Sequence, residues 1–338
     1  MKVAMYYNNS DVRLEEVEKP VISDNEILLK VMASGICGSD IMEWYRIKKA
    51  PLVLGHEVAG EVAEVGKTVT KFSVGDRITV THHVPCNDCH YCIDGNTTMC
   101  ETLRTTKFYP GGFAEYLQIP GINIEKGTLK LPENVSYSEG TFVEPLGCVV
   151  RSHKKAEIKG KHTVLVLGAG LSGLLHIKLA KSRGCRVIAT DISETRREAA
   201  EKAGADLLID AKDDVSVKVQ EFFGRKADRV IVCAGVMPAF RQAIESVDRG
   251  GSILIFAPLG PDEKLPIPVE SMWKNGISIV TSYAADKKDL EEALQLISEG
   301  KVDVSDMVTH ELPIEETGKG FRLFADGESI KVIIKPHQ

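Results

Sequence analysis

Residues 162–193 read HTVLVLGAGLSGLLHIKLAKSRGCRVIATDIS. An uninterrupted apolar run, Val164 to Leu167, ends on three glycines, Gly168, Gly170 and Gly173, in a G-x-G-x-x-G spacing. An amphipathic stretch to Arg183 follows, then a second apolar run, Arg186 to Thr190, and then Asp191. The pattern predicts strand, helix, strand, with the glycines at the first junction. A lone glycine triplet is weak evidence. Here it opens a helix directly after a strand, and an acidic residue ends the next strand eighteen residues past the last glycine. That is the spacing of a dinucleotide-binding βαβ unit. Glycines let the backbone approach a pyrophosphate, while the helix start at Leu171 and Ser172 offers free N–H groups and a partial positive charge. Asp191 is placed to accept hydrogen bonds from adenosine ribose hydroxyls and would repel a 2′-phosphate, which favours NAD over NADP. Arg196 and Arg197 are the opposing hint, since either could pair with that phosphate or flank the adenine.

Downstream the alternation continues. A helix over 194–203, strand DLLID, a helix over 214–224, strand RVIVCAG, a helix over 238–248, and strands SILIFAPLG and ISIVTSY complete a mostly parallel, doubly wound sheet. KKDLEEALQLISEGKV then reads as a helix, and the tail from Val308 to Pro336 as short strands and helices expected to rejoin the N-terminal region. Upstream, short alternating runs (KVAMYY, EILLKVM, EVAGEVAEVG, RITVTHH) separated by turn residues predict a small barrel-like sheet.

Cys86, Cys89, Cys92 and Cys100 form C-x2-C-x2-C-x7-C, half of the eight cysteines in fifteen residues. Four thiolates so spaced can close tetrahedrally on one zinc and staple a polar lobe with little apolar core of its own. Ferredoxin-type clusters place the fourth cysteine after three residues and follow it with proline, whereas here the gap is seven and Glu101 follows. With no open position the site is structural, and His90 within the loop is a bystander. A second group spans GICGSD and LGHE: Cys37, Ser39, Asp40, His56 and Glu57. Taken singly, Cys37 and His56 would be ordinary buried residues. Together they supply half of a site with thiolate, imidazole and carboxylate donors, as a catalytic zinc requires.

The 338 residues suffice for two domains. A net charge of −6 argues against nucleic acid or an anionic membrane as the main partner. No apolar run approaches the ~18 residues of a membrane-spanning helix, and the first residues lack a signal peptide's apolar core. The expected setting is cytoplasmic, where the cysteines serve as ligands or buried thiols rather than disulfides.

C-G-S-D, G-H-E-x-x-G-x5-G-x2-V over Gly55 to Val69, the four-cysteine lobe and the glycine-rich unit occur in the order seen in the zinc-containing medium-chain alcohol dehydrogenases. The chain resembles that family along essentially its whole length. TFVEPLGC carries Glu144 where alcohol dehydrogenases usually carry a cysteine ligand, a pattern similar to the polyol (sorbitol-like) and threonine dehydrogenases. The resemblance implies a discontinuous GroES-like catalytic domain (1–148 and 286–338, with the lobe 86–100) and a Rossmann NAD-binding domain (149–285). It implies one catalytic and one structural zinc, with NAD as the hydride carrier and a secondary alcohol, polyol or hydroxy-amino acid as substrate. A homodimer or homotetramer is expected, with ILIFAP and ISIVTSY near the pairing edge.

Carried onto this sequence, the resemblance makes Cys37 and His56 zinc ligands. Glu57, Glu144 or both complete the set. Asp40 is a candidate acceptor for the His56 ring N–H, and Ser39 is the hydroxyl that relays the substrate proton. Cys148, four residues past Glu144, could compete as a ligand, although the family places none there. Family members often carry a histidine three residues after the relay hydroxyl, and here that position is Met42. Glu43 could substitute for it or simply be solvated, and Trp44 and Tyr45 could wall the pocket or merely pack. A non-enzymatic NAD- and zinc-binding scaffold would need the lobe and the glycine-rich unit but not Cys37, Ser39, His56 and Glu144.

Overall fold

The computed structural model describes residues 1–338. They fall into two compact units, Met1–Gly147 with Ala284–Gln338, and Cys148–Tyr283.

In the second unit six parallel strands follow the order 3-2-1-4-5-6 when numbered within it. The central strand, Thr163–Leu167, is buried at every position, because helices cover both faces of a parallel sheet and leave no wet side. Its Leu165 and Leu167 pack with Ile188, Val230 and Val232 of the neighbouring strands. Local chemistry sets the helix ends. The side chain of Ser193 accepts the Arg196 N–H at the start of Glu194–Lys202, and Asp214 caps Val215–Phe223, which stops at Gly224 with φ of 77°.

Three expectations shift. The helix expected over 238–248 stops at Ser246, and the next strand begins at Val247 instead of Ser252. Val247 pairs with Ala227, and the register slip after it is absorbed where Gly250 takes φ of 70°. Val269–Asn275 is a helix that the proline-rich stretch before it concealed. Ile253–Ile255 of ILIFAP lies in an interior strand, paired on both sides, so of the two expected edge stretches only Ser278–Thr281 is at a sheet edge.

The first unit holds a seven-stranded sheet and a three-stranded one. Strand Ile27–Gly35 runs antiparallel to Glu57–Val65, with Gly35 opposite Glu57. That register brings the segment entering Cys37 beside the segment leaving His56. The tail returns as Lys331–Lys335, antiparallel to the same strand with Ile333 opposite Gly35. Its Val332 and Ile334 are buried in one core with Val3, Tyr6, Phe113 and Phe321.

Candidate active site

Cys37, His56 and Glu57 bring one ligand atom each within 4.8 Å of one another. His56 is 9% exposed and Glu57 fully buried. Asp40, also fully buried, ties the group together. Its Oδ2 accepts the Cys37 backbone N–H at 3.0 Å, and its Oδ1 lies 3.4 Å from His56 Nδ1, which leaves Nε2 for a metal. Burial drives the Cys37 thiol toward its neutral form, but the His56 ring opposes this and the net direction is down. Burial likewise disfavours charge on His56, and Asp40 and Cys37 raise it well above the ordinary histidine value. Each group thus favours the charged form of the other, and a metal bound there would take the place of a ring proton.

Glu57 has a partner the sequence did not disclose. The fully buried ammonium of Lys331 pairs with Glu57 Oε2, donates to the Ile36 carbonyl at 3.2 Å, and lies 5.4 Å from the Phe142 ring centre. Burial lowers the Lys331 pKa to about 8. Glu57 Oε1 is buried without a hydrogen-bond partner. An orphaned carboxylate oxygen beside a thiolate and an imidazole is what a metal ligand looks like before its ion binds, since leaving it unpaired is otherwise costly. Gly35 makes room for the pair: a Cβ there would overlap Glu57 Oε2 and lie 2.6 Å from Lys331 Nζ.

Glu144 sits at the start of helix Val143–Lys155 and lines a small depression with Thr79, Thr81, Gly127 and Leu290. Its charge pushes the Cys37 thiol up, so it acts on the site while standing outside the tight cluster. Cys148 is not in the cluster either. Ser39 follows Cys37 in a turn and turns its backbone N–H toward the thiol sulfur at 3.5 Å. Arg46, which sequence reasoning also passed over, donates from Nη2 to Ser39 Oγ at 3.0 Å and from Nε to the Ser39 carbonyl at 2.9 Å. His82 and His83 stack with ring centres 3.6 Å apart, and His82 is 5.0 Å from His56. Burial keeps both neutral, His83 with a pKa near 4. Glu43 and Trp44 lie on the one-turn helix Glu43–Arg46, which buries no residue, with Trp44 47% exposed. Tyr45 carries Arg46 and Lys49 over its ring at 4.9 and 5.0 Å.

In the lobe, Cys86, Cys89, Cys92 and Cys100 converge, with sulfur separations of 3.5 Å (Cys86–Cys100), 3.6 Å (Cys89–Cys92) and 3.9 Å (Cys86–Cys92). Metal–sulfur bonds of about 2.3 Å in a tetrahedron give edges of about 3.8 Å, so four thiolates at this spacing fit a zinc. His90 is exposed, stacks on Tyr91 and stays out of the cluster. Lys126 Nζ donates to the Cys86 carbonyl at 2.5 Å, pinning the lobe to the following helix.

In the second unit each glycine of the loop is used differently. Gly168 takes φ of 97°, which a side chain would resist. A Cβ on Gly170 would meet nothing, leaving an open space in front of the helix start. A Cβ on Gly173 would overlap the Gly168 carbonyl, so helix and strand pack closely only without one. Asp191 accepts the Ala169 N–H at Oδ2 and the Ser193 N–H at Oδ1, both at 2.9 Å, which holds its carboxylate at the loop. Arg196 meets Ser193 through its backbone N–H, and Arg197 donates to the Asp191 carbonyl at 2.8 Å while lying 3.4 Å from Asp210. Leu171 and Ser172 open the helix with no side-chain cap, so their N–H groups remain for a ligand.

Residues 23–133 match the family model described as alcohol dehydrogenase GroES-like domain, and residues 173–299 match zinc-binding dehydrogenase. The chain is 34% identical to a sorbitol dehydrogenase of Halalkalibacterium halodurans, covering 96% of this chain and 95% of that one. It is 32% identical to an alcohol dehydrogenase of Geobacillus stearothermophilus, covering 96% of each. Among solved structures, a zinc-binding dehydrogenase of Sinorhizobium meliloti bound to NADP superposes with a TM-score of 0.88 at 27% identity, covering 99% of each chain.

Proposed function

Because the chain belongs to the zinc-containing medium-chain alcohol dehydrogenase family, we propose that it oxidises a secondary alcohol flanked by hydroxyl or amino groups, with NAD as acceptor. Membership makes it a zinc- and NAD(P)-dependent oxidoreductase of CH–OH groups. The observation that carries the polyol-type reading is the donor set at the site: one thiolate, one imidazole, an orphaned Glu57 oxygen and Glu144 acting on Cys37, with no second thiolate in the cluster. Cys37 and His56 would hold the catalytic zinc, with Glu57 Oε1 and Glu144 as the carboxylates available to complete it. Bound there, the zinc supplies a Lewis acid that makes a substrate hydroxyl acidic near neutral pH. Ser39 then takes the hydroxyl proton and passes its own onward. Asp40 orients His56, and the two glutamates temper the positive charge of the site. The four lobe cysteines would hold the structural zinc.

NAD is favoured over NADP by the carboxylate of Asp191, which the Ala169 and Ser193 N–H groups hold in place and which would repel a 2′-phosphate. Eight free cysteines suit a reducing, cytoplasmic setting. No helix is long and apolar enough to cross a membrane. The open edge strand Ser278–Thr281, with Ile279 37% exposed and Trp273 nearby in sequence 81% exposed, suits pairing with a second copy as a dimer or tetramer.

The test is an initial-rate screen of polyols, sugars, threonine and simple alcohols, with zinc present and with NAD or NADP. Turnover of vicinal secondary alcohols with NAD is expected. Activity confined to simple primary alcohols would overturn the substrate class, and a clear NADP preference would overturn the cofactor choice.

A further inference from the structure

The relay hydroxyl of Ser39 has an unusual neighbour. Three residues on, at Met42, there is no titratable group to carry a proton away. One helical turn further, Arg46 folds back onto Ser39 from the end of helix Glu43–Arg46. Its Nε donates to the Ser39 carbonyl at 2.9 Å and its Nη2 to Ser39 Oγ at 3.0 Å. The same Nη2 lies 3.5 Å from Oδ1 of Asp40, the oxygen that faces His56. The guanidinium side chain is only 15% exposed, and Tyr45 covers it with a ring centre 4.9 Å from Cζ. A fork held at three points and shielded by an aromatic ring is a fixed charge, unlike a solvated surface arginine.

Hydrogen-bond capacity turns this geometry into a role. A serine hydroxyl has two acceptor sites and one hydrogen to donate. Arg46 occupies one acceptor site. The other is left to accept the proton of a substrate hydroxyl, and the serine hydrogen is left to move on to the next acceptor. A guanidinium cannot give up its proton in a protein, so Arg46 is no carrier itself. It can fix the hydroxyl rotamer and stabilise the negative charge that grows on Oγ between losing one proton and gaining the other. We propose that Arg46 is a positioning residue for Ser39, a fixed cation that orients and polarises the relay hydroxyl in a chain that lacks the histidine at Met42. The inference rests on the dehydrogenase reading above. In the proton step Ser39 Oγ gains the substrate proton as the serine O–H bond breaks and its proton passes to water, so serine ends neutral, the water carries the proton away and Arg46 is unchanged.

The test is a double-mutant cycle in the zinc-loaded enzyme with the best substrate of the screen: Ser39→Ala, Arg46→Met and both. Zinc content, NAD binding and melting temperature are measured alongside. Arg46→Met is expected to lower kcat by about 10- to 100-fold with little change in KM. In the Ser39→Ala background the same change should cost less than about 3-fold, because the group Arg46 acts through is gone. Arg46→Lys keeps the charge without the fork, so its kcat should lie between those of wild type and Arg46→Met. It also carries the test alone if Arg46→Met does not fold. Equal losses in the two backgrounds would mark a structural role and overturn the proposal. A raised KM at unchanged kcat would make Arg46 a substrate contact and overturn it as well. An inactive wild type that still binds zinc and NAD would defeat the dehydrogenase reading itself.

Discussion

Lys331 and Glu57 form the most consequential pair of single residues, each fully buried and each the other's counter-charge. Removing one partner of such a pair strands the other, so Lys331→Met should destabilise the first unit by about 3–5 kcal/mol. Lys331→Met combined with Glu57→Gln should recover most of that loss, since neither charge then remains. Denaturant titration of the two variants decides this, and equal destabilisation in both would show that the pair is not coupled. Cys37→Ala and His56→Ala should abolish turnover while NAD titration remains normal, because the glycine-rich loop stands in the other unit. Full activity in either variant would remove the metal assignment. Neither Lys331 nor Arg46 was legible beforehand, and the reasons differ. Lys331 lies 274 residues from Glu57 and reads as an unremarkable lysine leading into an apolar strand. Arg46 stands in RIKK, where a positive run looks like a solvated face.

At the scale of elements, the parts with their own internal logic were readable. The strand, glycines, helix and acid of 162–193 are a contiguous unit whose spacing follows from the turn it must make. The structure adds the reason Gly168 and Gly173 are needed, the one for its backbone angle and the other for close packing of helix on strand. The four-cysteine lobe was readable for the same cause, since its ligands lie within fifteen residues. Two elements were not. Helix Val269–Asn275 hides behind prolines, and the early start of strand Val247–Ile255 depends on a cross-strand partner, Ala227, twenty residues upstream. The lobe offers a clean prediction. Its short helices bury only Thr98 and Leu103, too little to hold the segment without metal. Cys89→Ser should lower the zinc content from about two per chain to about one. Rapid proteolysis within 86–105 should follow, and metal analysis with limited digestion checks both.

For the molecule as a whole, acid is the informative stress. His153 and His176 are fully buried in the second unit, Nε2 of one 3.0 Å from Nδ1 of the other. Their remaining ring nitrogens are without partners. Burial holds both below the ordinary histidine value of 6.5, His176 at about 3. The unfolded chain therefore takes up protons there that the folded chain refuses. Stability is intact above about pH 6.5 and falls below it, for His176 by about 1.4 kcal/mol per pH unit down to about pH 3, with His153 adding to the loss in the same direction. Denaturant melts at pH 7.5, 6 and 5 should show the decline. A His153→Leu, His176→Met double variant should show a shallower one, and an unchanged slope would exonerate the pair.

The sheet that carries the active site is finished by the tail, since Lys331–Lys335 pairs with Ile27–Gly35 and supplies the ammonium that Glu57 requires. On the ribosome this has a direct consequence. Residues 1–147 emerge first but lack the strand that closes their sheet, whereas Cys148–Tyr283 is contiguous and can form its core as soon as it clears the exit tunnel. The nascent first unit must therefore wait, with Glu57 unneutralised and Ile27–Gly35 missing a neighbour, until Lys331–Lys335 has been synthesised. Order of synthesis and order of folding run in opposite directions here, and a chain arrested before Lys331–Lys335 exposes an unpaired strand that invites aggregation.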